Sequence, residues 1–340
     1  MRATATIRDV ARVAEVHPGT VSRALNPETR ALVNDETAAR VLAAADELGY
    51  RPNPIARGLK TQRSYTVGVL IPDLLNPLFP PIVRGVDDRL AKDGYTPLLV
   101  NTDRDLEREQ ASVETMLARQ VDGFIAATAR LDMEPLVAAS AEGVPVVLVN
   151  RSVEDGSLAS VTVDDRTGIR LAVEHVIALG HERVAHVAGP QNVSTGRLRL
   201  MGFRAAMEAH ALGAPAERVA IGESFGVEAG AEACAEVLAA DAGVTAIIAA
   251  NDLLALGCYA ALTELGLRCP EDVSIVGFND MLFVDKLQPP LTTVRVPQRE
   301  LGFVAADLLL EQIGGVATGP REVVLDPSLV IRDSTAPARA

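Results

Sequence analysis

Residues 6–26, TIRDVARVAEVHPGTVSRALN, constrain this chain more than any other stretch, because they set two short amphipathic helices a tight turn apart. Ile7, Val10, Ala11 and Ala14 recur at i, i+3, i+4 and i+7 and so share one helical face. Thr6 precedes them and Asp9 stands three residues later, close to the spacing of a reciprocal N-terminal cap. Glu15-Val16-His17 form the turn, and Pro18 opens the second helix, where its missing N–H would have no helical partner anyway. Val21, Ala24 and Leu25 supply a small inner face. Thr20, Ser22, Arg23 and Asn26 point elsewhere, and all four can donate to phosphates or base edges. A third helix is expected after Asn34 as N-cap, with an inner stripe of Ala38, Val41, Leu42, Ala45 and Leu48 and a stop at Gly49. Three short helices around one apolar centre fit a headpiece that lays its second helix in the DNA major groove. The same geometry also occurs in bundles that bind no DNA.

Charge favours the DNA reading. Residues 1–63 hold ten Lys/Arg against seven Asp/Glu, a net of +3, while the whole chain is −13 and the remainder therefore −16. A basic head on an acidic body confines attraction for a polyanion to one end.

At 340 residues the chain has room for two or three domains. It has no apolar run near 20 residues, so no membrane span is expected. The N-terminus MRATATIRD has no apolar segment of a secretory signal, which points to the cytoplasm. Cys234, Cys258 and Cys269 form no C-x-x-C pair, so neither a disulfide framework nor a zinc site is indicated, and no cofactor is expected.

From residue 64 on, short apolar runs alternate with helical patterns. The runs lie at 65–71, 96–101, 123–128, 145–150, 183–189, 217–223, 245–251 and 273–279; helical stretches include 103–120, 166–180, 197–210, 227–240 and 253–266. This alternation is the mark of an α/β fold with parallel sheets covered on both faces, and the strands are too many for one comfortable sheet. Two lobes fit better. Ligands in such folds sit at the carboxyl ends of the strands. Those ends here carry Asp73 and Asn76, Asn101, Thr128, Asn150 and Arg151, Asn251 and Asp252, Asn279 and Asp280. One such residue alone is ordinary turn chemistry; the set reads as a cleft built to hydrogen-bond a polar solute. Between head and body, YRPNPIARGLKTQRS breaks the third helix at Pro52 and Pro54, and Ile55 to Lys60 is too short to hold a helix unaided.

The segments TIRDVARVAEVHPGTVSRALN, LGYRPNPIARGLK, VGVLIPDLLNPLF, LGHERVAHVAGP with GRLRLMGF, AANDLLALGCYAAL, and DVSIVGFND with PPLTTVRVP resemble, in order and in spacing, the lactose-repressor (LacI) family of bacterial regulators, from about residue 5 to residue 332. The resemblance implies a helix-turn-helix headpiece at 1–50, a hinge helix or linker at 51–63, and a two-lobed periplasmic-binding-protein-like core at 64–335. Lobe 1 would span about 64–163 and 295–319, and lobe 2 about 164–294 and 320–335, with crossings near residues 163, 294 and 320. It further implies a transcriptional regulator, a repressor in the usual sense, that binds pseudo-palindromic double-stranded operator DNA as a homodimer and is switched by a small polar effector, a sugar or sugar acid, in the interlobe cleft.

Carried over by position, base contacts fall on Pro18, Gly19 and Arg23, and phosphate contacts on His17, Thr20, Ser22, Asn26 and Thr37. Pro18 and Gly19 have no hydrogen-bonding side chain, so edge readout rests on Arg23, helped by His17. Glu15 sits where the turn often has Gly; if φ is positive there, a non-glycine residue costs roughly 1–2 kcal/mol. Leu59 matches the side chain that wedges into the minor groove, with Asn53, Ala56 and Lys60 around it. In the cleft, Arg199 and Asn251 match effector-binding positions, Phe79 and Phe225 aromatic positions against the ligand, and Asn150, Thr195 and Asp164 polar walls. Asn279 matches a position where Asp is frequent; the amide keeps an acceptor and removes the charge, which makes an anionic effector more plausible. The other role open to Arg199 is a structural ion pair.

Three other readings compete. Gly222-Glu-Ser224-Phe-Gly226 spells the G-x-S-x-G of a hydrolase elbow, but all five histidines precede Ser224, whereas that fold needs its histidine later. An enzyme is therefore not expected. A periplasmic-type solute-binding protein is opposed by the headpiece. A DNA-binding protein without a ligand switch remains the third. The C-terminal IRDSTAPARA lacks a leucine heptad, so a dimer and not a coiled-coil tetramer is expected.

Overall fold

The structure, a computed structural model, describes residues 5–26, 29–51, 63–131, 134–316 and 319–339. The chain divides into two compact units, Met1–Ser64 and Tyr65–Ala340.

The first unit holds α1 (Ile7–Val13), α2 (Pro18–Leu25) and α3 (Asp35–Glu47). Thr6 and Asp9 cap α1 reciprocally: the Asp9 amide donates to Thr6 Oγ1, and Asp9 Oδ2 accepts from the Thr6 amide at 3.0 Å. Asn34 caps α3 through the Thr37 amide at 2.8 Å. Val10, Ala14, Val21, Ala24, Ala38, Val41 and Ala45 are buried together. Leu42 is not among them and is 49% exposed; Ala44 takes the inner place. At 3.6 residues per turn, position 42 lies roughly 100° from Val41, on the edge of the stripe, whereas 44 and 48 lie on its other flank. Glu15 has φ 53°, so the turn does carry a non-glycine residue in the left-handed region, and Gly49 at φ 61° ends the third helix as expected.

The second unit is two six-stranded sheets. Chain order is β1 (Thr66–Ile71), α4 (Phe79–Leu90), β2 (Thr96–Asn101), α5 (Leu106–Ala118), β3 (Phe124–Ala126), α6 (Glu134–Ala141), β4 (Val146–Val149) and β5 (Ala159–Val163). It continues through α7 (Asp165–Ala178), β6 (Val184–Ala188), α8 (Ser194–Ala209), β7 (Val219–Ile221), α9 (Val227–Ala240), β8 (Ala246–Ala249), α10 (Asp252–Glu264), β9 (Ser274–Asn279) and β10 (Thr292–Arg295). Then come α11 (Gln298–Ile313), β11 (Glu322–Leu325) and β12 (Ser328–Val330). The first sheet runs β11-β5-β4-β3-β1-β2, all parallel, and the second β12-β10-β9-β8-β6-β7. The second is parallel except for β12, which runs against β10.

The chain therefore passes between lobes after β5, after β10 and between β11 and β12. The last crossing falls at 326–327, not near 320, because Glu322–Leu325 still pair with Ser160–Val163 in lobe 1. Lobe 2 also extends past 335: the Ala338 amide donates to the Leu179 carbonyl and Ala336 accepts from His181. On lobe 1, α4 and α11 approach closely through Gly85 and Gly302, where an added Cβ would lie 2.0 Å from the Arg299 oxygen and 1.9 Å from the Ile82 oxygen. No helix among the described residues is long and apolar enough to cross a membrane.

Candidate functional site

Two surfaces could recognise a partner, one in each unit. On the headpiece, His17 caps α2: its Nδ1 accepts from the Gly19 amide at 3.1 Å, so one ring nitrogen is already engaged. Arg23 is exposed, one turn further along α2, with Nε donating to the Gly19 carbonyl at 3.2 Å. Ser22 is exposed, and Pro18, Gly19, Thr20 and Asn26 are part-buried. Thr37 stands in the first turn of α3, its amide held by Asn34. Asn53, Ala56, Leu59 and Lys60 lie outside the described residues.

In the core, the carboxyl ends of β4, β8 and β9 and the amino ends of α4 and α8 converge on a narrow cavity. Its walls are Asn76, Leu78, Phe79, Asn150 and Arg151 from lobe 1, with Thr195, Arg199, Phe225, Asn251 and Asn279 from lobe 2. Seven of the eight residues expected in the cleft stand here. Asp164 does not: it caps α7, its Oδ1 accepting from the Thr167 amide at 2.9 Å. The neighbouring Asp165 is the acid that matters, because the helix turns it inward onto Arg199.

Arg199 is committed inside the protein. Nε donates to Asp165 Oδ1 at 2.7 Å, Nη1 to the Ala250 carbonyl at 2.6 Å, and the guanidinium lies 3.8 Å from the centre of the Phe278 ring. Burial pushes the Asp165 carboxyl up, against the pull of Arg199. Asn251 is likewise occupied: Oδ1 caps α10 through the Leu254 amide at 2.8 Å, and Nδ2 donates to the Phe225 carbonyl at 3.1 Å. Its role in this arrangement is to hold Phe225 against the cavity. Asp252 accepts from Thr293 Oγ1 at 2.5 Å and from the Met281 amide at 2.8 Å, and burial raises its carboxyl to about 7. It ties the loop after β9 to the end of β8.

Asn150 and Asn279 sit at strand ends with φ 68° and 116°, conformations that Asn tolerates better than most residues. Arg151, beside Asn150, is buried, with its guanidinium 6.0 Å from the centre of the Phe225 ring across the cleft. Burial, helped by Arg199, pushes its pKa down to about 10. Asn76, Leu78 and Arg151 were absent from the expected site, although Asn76 and Arg151 stood among the polar strand ends. The cavity is about 20 Å3, on the scale of a single water molecule. Ser224 of the hydrolase-like string accepts from the Gly226 amide at 3.2 Å, a turn ahead of α9, and no histidine lines the cavity.

A basic-headed three-helix unit followed by a two-lobed ligand-cleft core defines a class of ligand-responsive DNA-binding regulators. Residues 6–53 match the profile described as bacterial regulatory proteins, lacI family, and residues 173–335 match a periplasmic binding protein-like domain. The HTH-type transcriptional repressor CytR of Escherichia coli (strain K12) is 33% identical over 97% of this chain and 96% of its own length. A lac repressor dimer bound to operator and the anti-inducer ONPF aligns with TM-score 0.85 and 32% identity over 98% of this chain and 100% of that one. A transcriptional regulator CelR–cellobiose complex aligns with TM-score 0.76 and 32% identity over 97% of this chain and 99% of that one. The chain belongs to the lacI family of bacterial transcriptional regulators, and these relatives are regulators, not enzymes.

Proposed function

We propose that this chain is a homodimeric repressor that binds a pseudo-palindromic operator through α2 and releases or grips it when a small polar metabolite enters the interlobe cleft. The observation that carries this reading is the division of the cavity walls between the lobes: five lining residues belong to each. An occupant cannot touch one lobe without the other, so its affinity depends on how the lobes are set. A ligand shifts a two-state equilibrium only through such differential affinity. The cavity of about 20 Å3 is far below the roughly 300 Å3 at the small end of ligand pockets, so entry requires the lobes to part. The polar lining and the cellobiose-bound relative both support a hydroxylated ligand.

On the DNA, Arg23 reads base edges. His17, Thr20, Ser22, Asn26 and Thr37 hold phosphates, Pro18 and Gly19 let the helix approach closely, and Leu59, flanked by Asn53, Ala56 and Lys60, wedges the operator centre. In the cleft, Phe79 and Phe225 cover the apolar face of the ligand, while Asn150, Thr195, Asn251 and Asn279 surround its polar edge. Arg199 frames the site through Asp165.

In vitro selection on random DNA, followed by sedimentation of the protein–DNA complex, tests the reading. A pseudo-palindromic consensus bound by two chains is expected, with affinity falling steeply as salt rises. An unordered or half-site consensus bound by one chain would overturn it.

A further inference from the structure

Three buried polar atoms at the cleft have no hydrogen-bond partner: Nε of Arg151, Oδ1 of Asn150 and Oδ1 of Asn279. All three residues line the one cavity. Arg151 is 8% exposed, and no ion pair among the described residues includes it. The charges it feels are mostly its own sign: Arg199, Arg130 and Arg104 against Glu109. Arg199 is matched by Asp165, and Glu109 already accepts from Thr128 Oγ1 at 2.7 Å. Among the described residues Arg151 is thus a buried cation with no carboxylate in contact, a condition proteins rarely keep without reason. Its guanidinium is a planar fork suited to a carboxylate or phosphate. The two amide oxygens only accept, so they need donors such as hydroxyl groups. Asn150 and Arg151 come from lobe 1 and Asn279 from lobe 2, so an occupant satisfying all three joins the lobes.

We infer that the effector is a polyhydroxylated anion, a sugar acid or sugar phosphate, whose anionic group pairs with Arg151 while its hydroxyls donate to Asn150 and Asn279. This rests on the reading of the cleft as the effector site. Arg151 is then the residue that sets charge preference, and Arg199, with its ion pair internal, is not. Phe225, close to the Arg151 guanidinium, packs on the ring or chain of the ligand.

The test is calorimetric titration of the full chain with three matched series: aldonates and uronates, aldose phosphates, and their neutral parent aldoses. At least one anion should bind tenfold or more tightly than its parent, and the series in which it falls identifies the carboxylate or the phosphate. Arg151→Gln should abolish that preference, and Arg151→Lys, which keeps the charge, should keep part of it. The wild-type comparison stands even if Arg151→Gln does not fold. Neutral aldoses binding as tightly as the anions, silence of both anionic series, or a preference that survives Arg151→Gln would each overturn the assignment. Operator release by a neutral aldose would do so while leaving the effector-gated repressor intact.

Discussion

Arg199 and Asp165 meet in a buried ion pair, Nε to Oδ1 at 2.7 Å, with side chains 3% and 2% exposed. The contact joins α8 to the first residue of α7, where the chain has just entered lobe 2. Removing the arginine leaves a carboxylate in a dry site with its counter-charge gone.

Arg199→Ala should therefore destabilise the core by about 3–5 kcal/mol, whereas Arg199→Met combined with Asp165→Asn should recover much of that loss. Urea unfolding followed by circular dichroism measures both. A single variant that unfolds at the wild-type midpoint would show that the pair contributes little.

Arg23 is exposed, and among the described residues its side chain is tied to the Gly19 carbonyl within its own helix. Arg23→Ala should leave headpiece stability almost unchanged and weaken operator binding by roughly 1–3 kcal/mol per half-site, with relaxed base preference at one position. Fluorescence anisotropy on the consensus operator and single-base variants reads both effects, and unchanged preference would remove α2 from base readout.

His186 is fully buried, stacked on Phe203 at 4.8 Å, with Nδ1 donating to the Ile248 carbonyl at 2.7 Å and Nε2 unpartnered. Burial pushes its pKa down to about 4 from 6.5. Because the folded value lies below the free one, the unfolded chain takes up the proton first. The contribution of His186 is full above about pH 6.5 and fades as pH falls toward about 4. Wild-type protein should lose 1–3 kcal/mol more than His186→Leu between pH 7 and pH 4.5, in order of magnitude. Parallel pH profiles for the two proteins would exclude this residue as a source of acid sensitivity.

Gly85→Ala places a methyl group against the Arg299 carbonyl, where backbone cannot yield as a flexible side chain would. Helices α4 and α11 must then separate, at a cost of about 1–3 kcal/mol or more. A lowered thermal midpoint is expected, and an unchanged one would mean that the helices slide past each other freely.

Much of this architecture could be read from residue order. Runs such as TVGVLI and SIVGFN are apolar in all but their end residues because both faces of their sheets are covered, and they are β1 and β9. By contrast, β11 and β12 are four and three residues long and partly exposed, so no apolar run marks them. That is why the third crossing was expected too early. The caps at Thr6 and Asn34 follow local spacing, whereas the cap at His17, read from the sequence only as part of the turn, appears only in the structure. Family position brought Arg199 and Asn251 to the cleft, but not the fact that each is already hydrogen-bonded to its own protein there. Whether a polar side chain faces a ligand or its own protein depends on partners distant in sequence: Asp165 is 34 residues from Arg199, and the Phe225 carbonyl 26 from Asn251. Arg151 was visible only as one polar strand end among several.

The late return of β11 to lobe 1 has a consequence for synthesis on the ribosome. Until Glu322–Leu325 emerge, β5 is the outer strand of its sheet, with one row of backbone groups unsatisfied. The other sheet waits longer still, because β12 closes on β10 only a few residues afterwards. Neither lobe is a contiguous fragment that a protease or a gene fusion could release whole. A nonsense codon near position 320 would damage both lobes at once, by exposing two strand edges that can pair with other nascent chains.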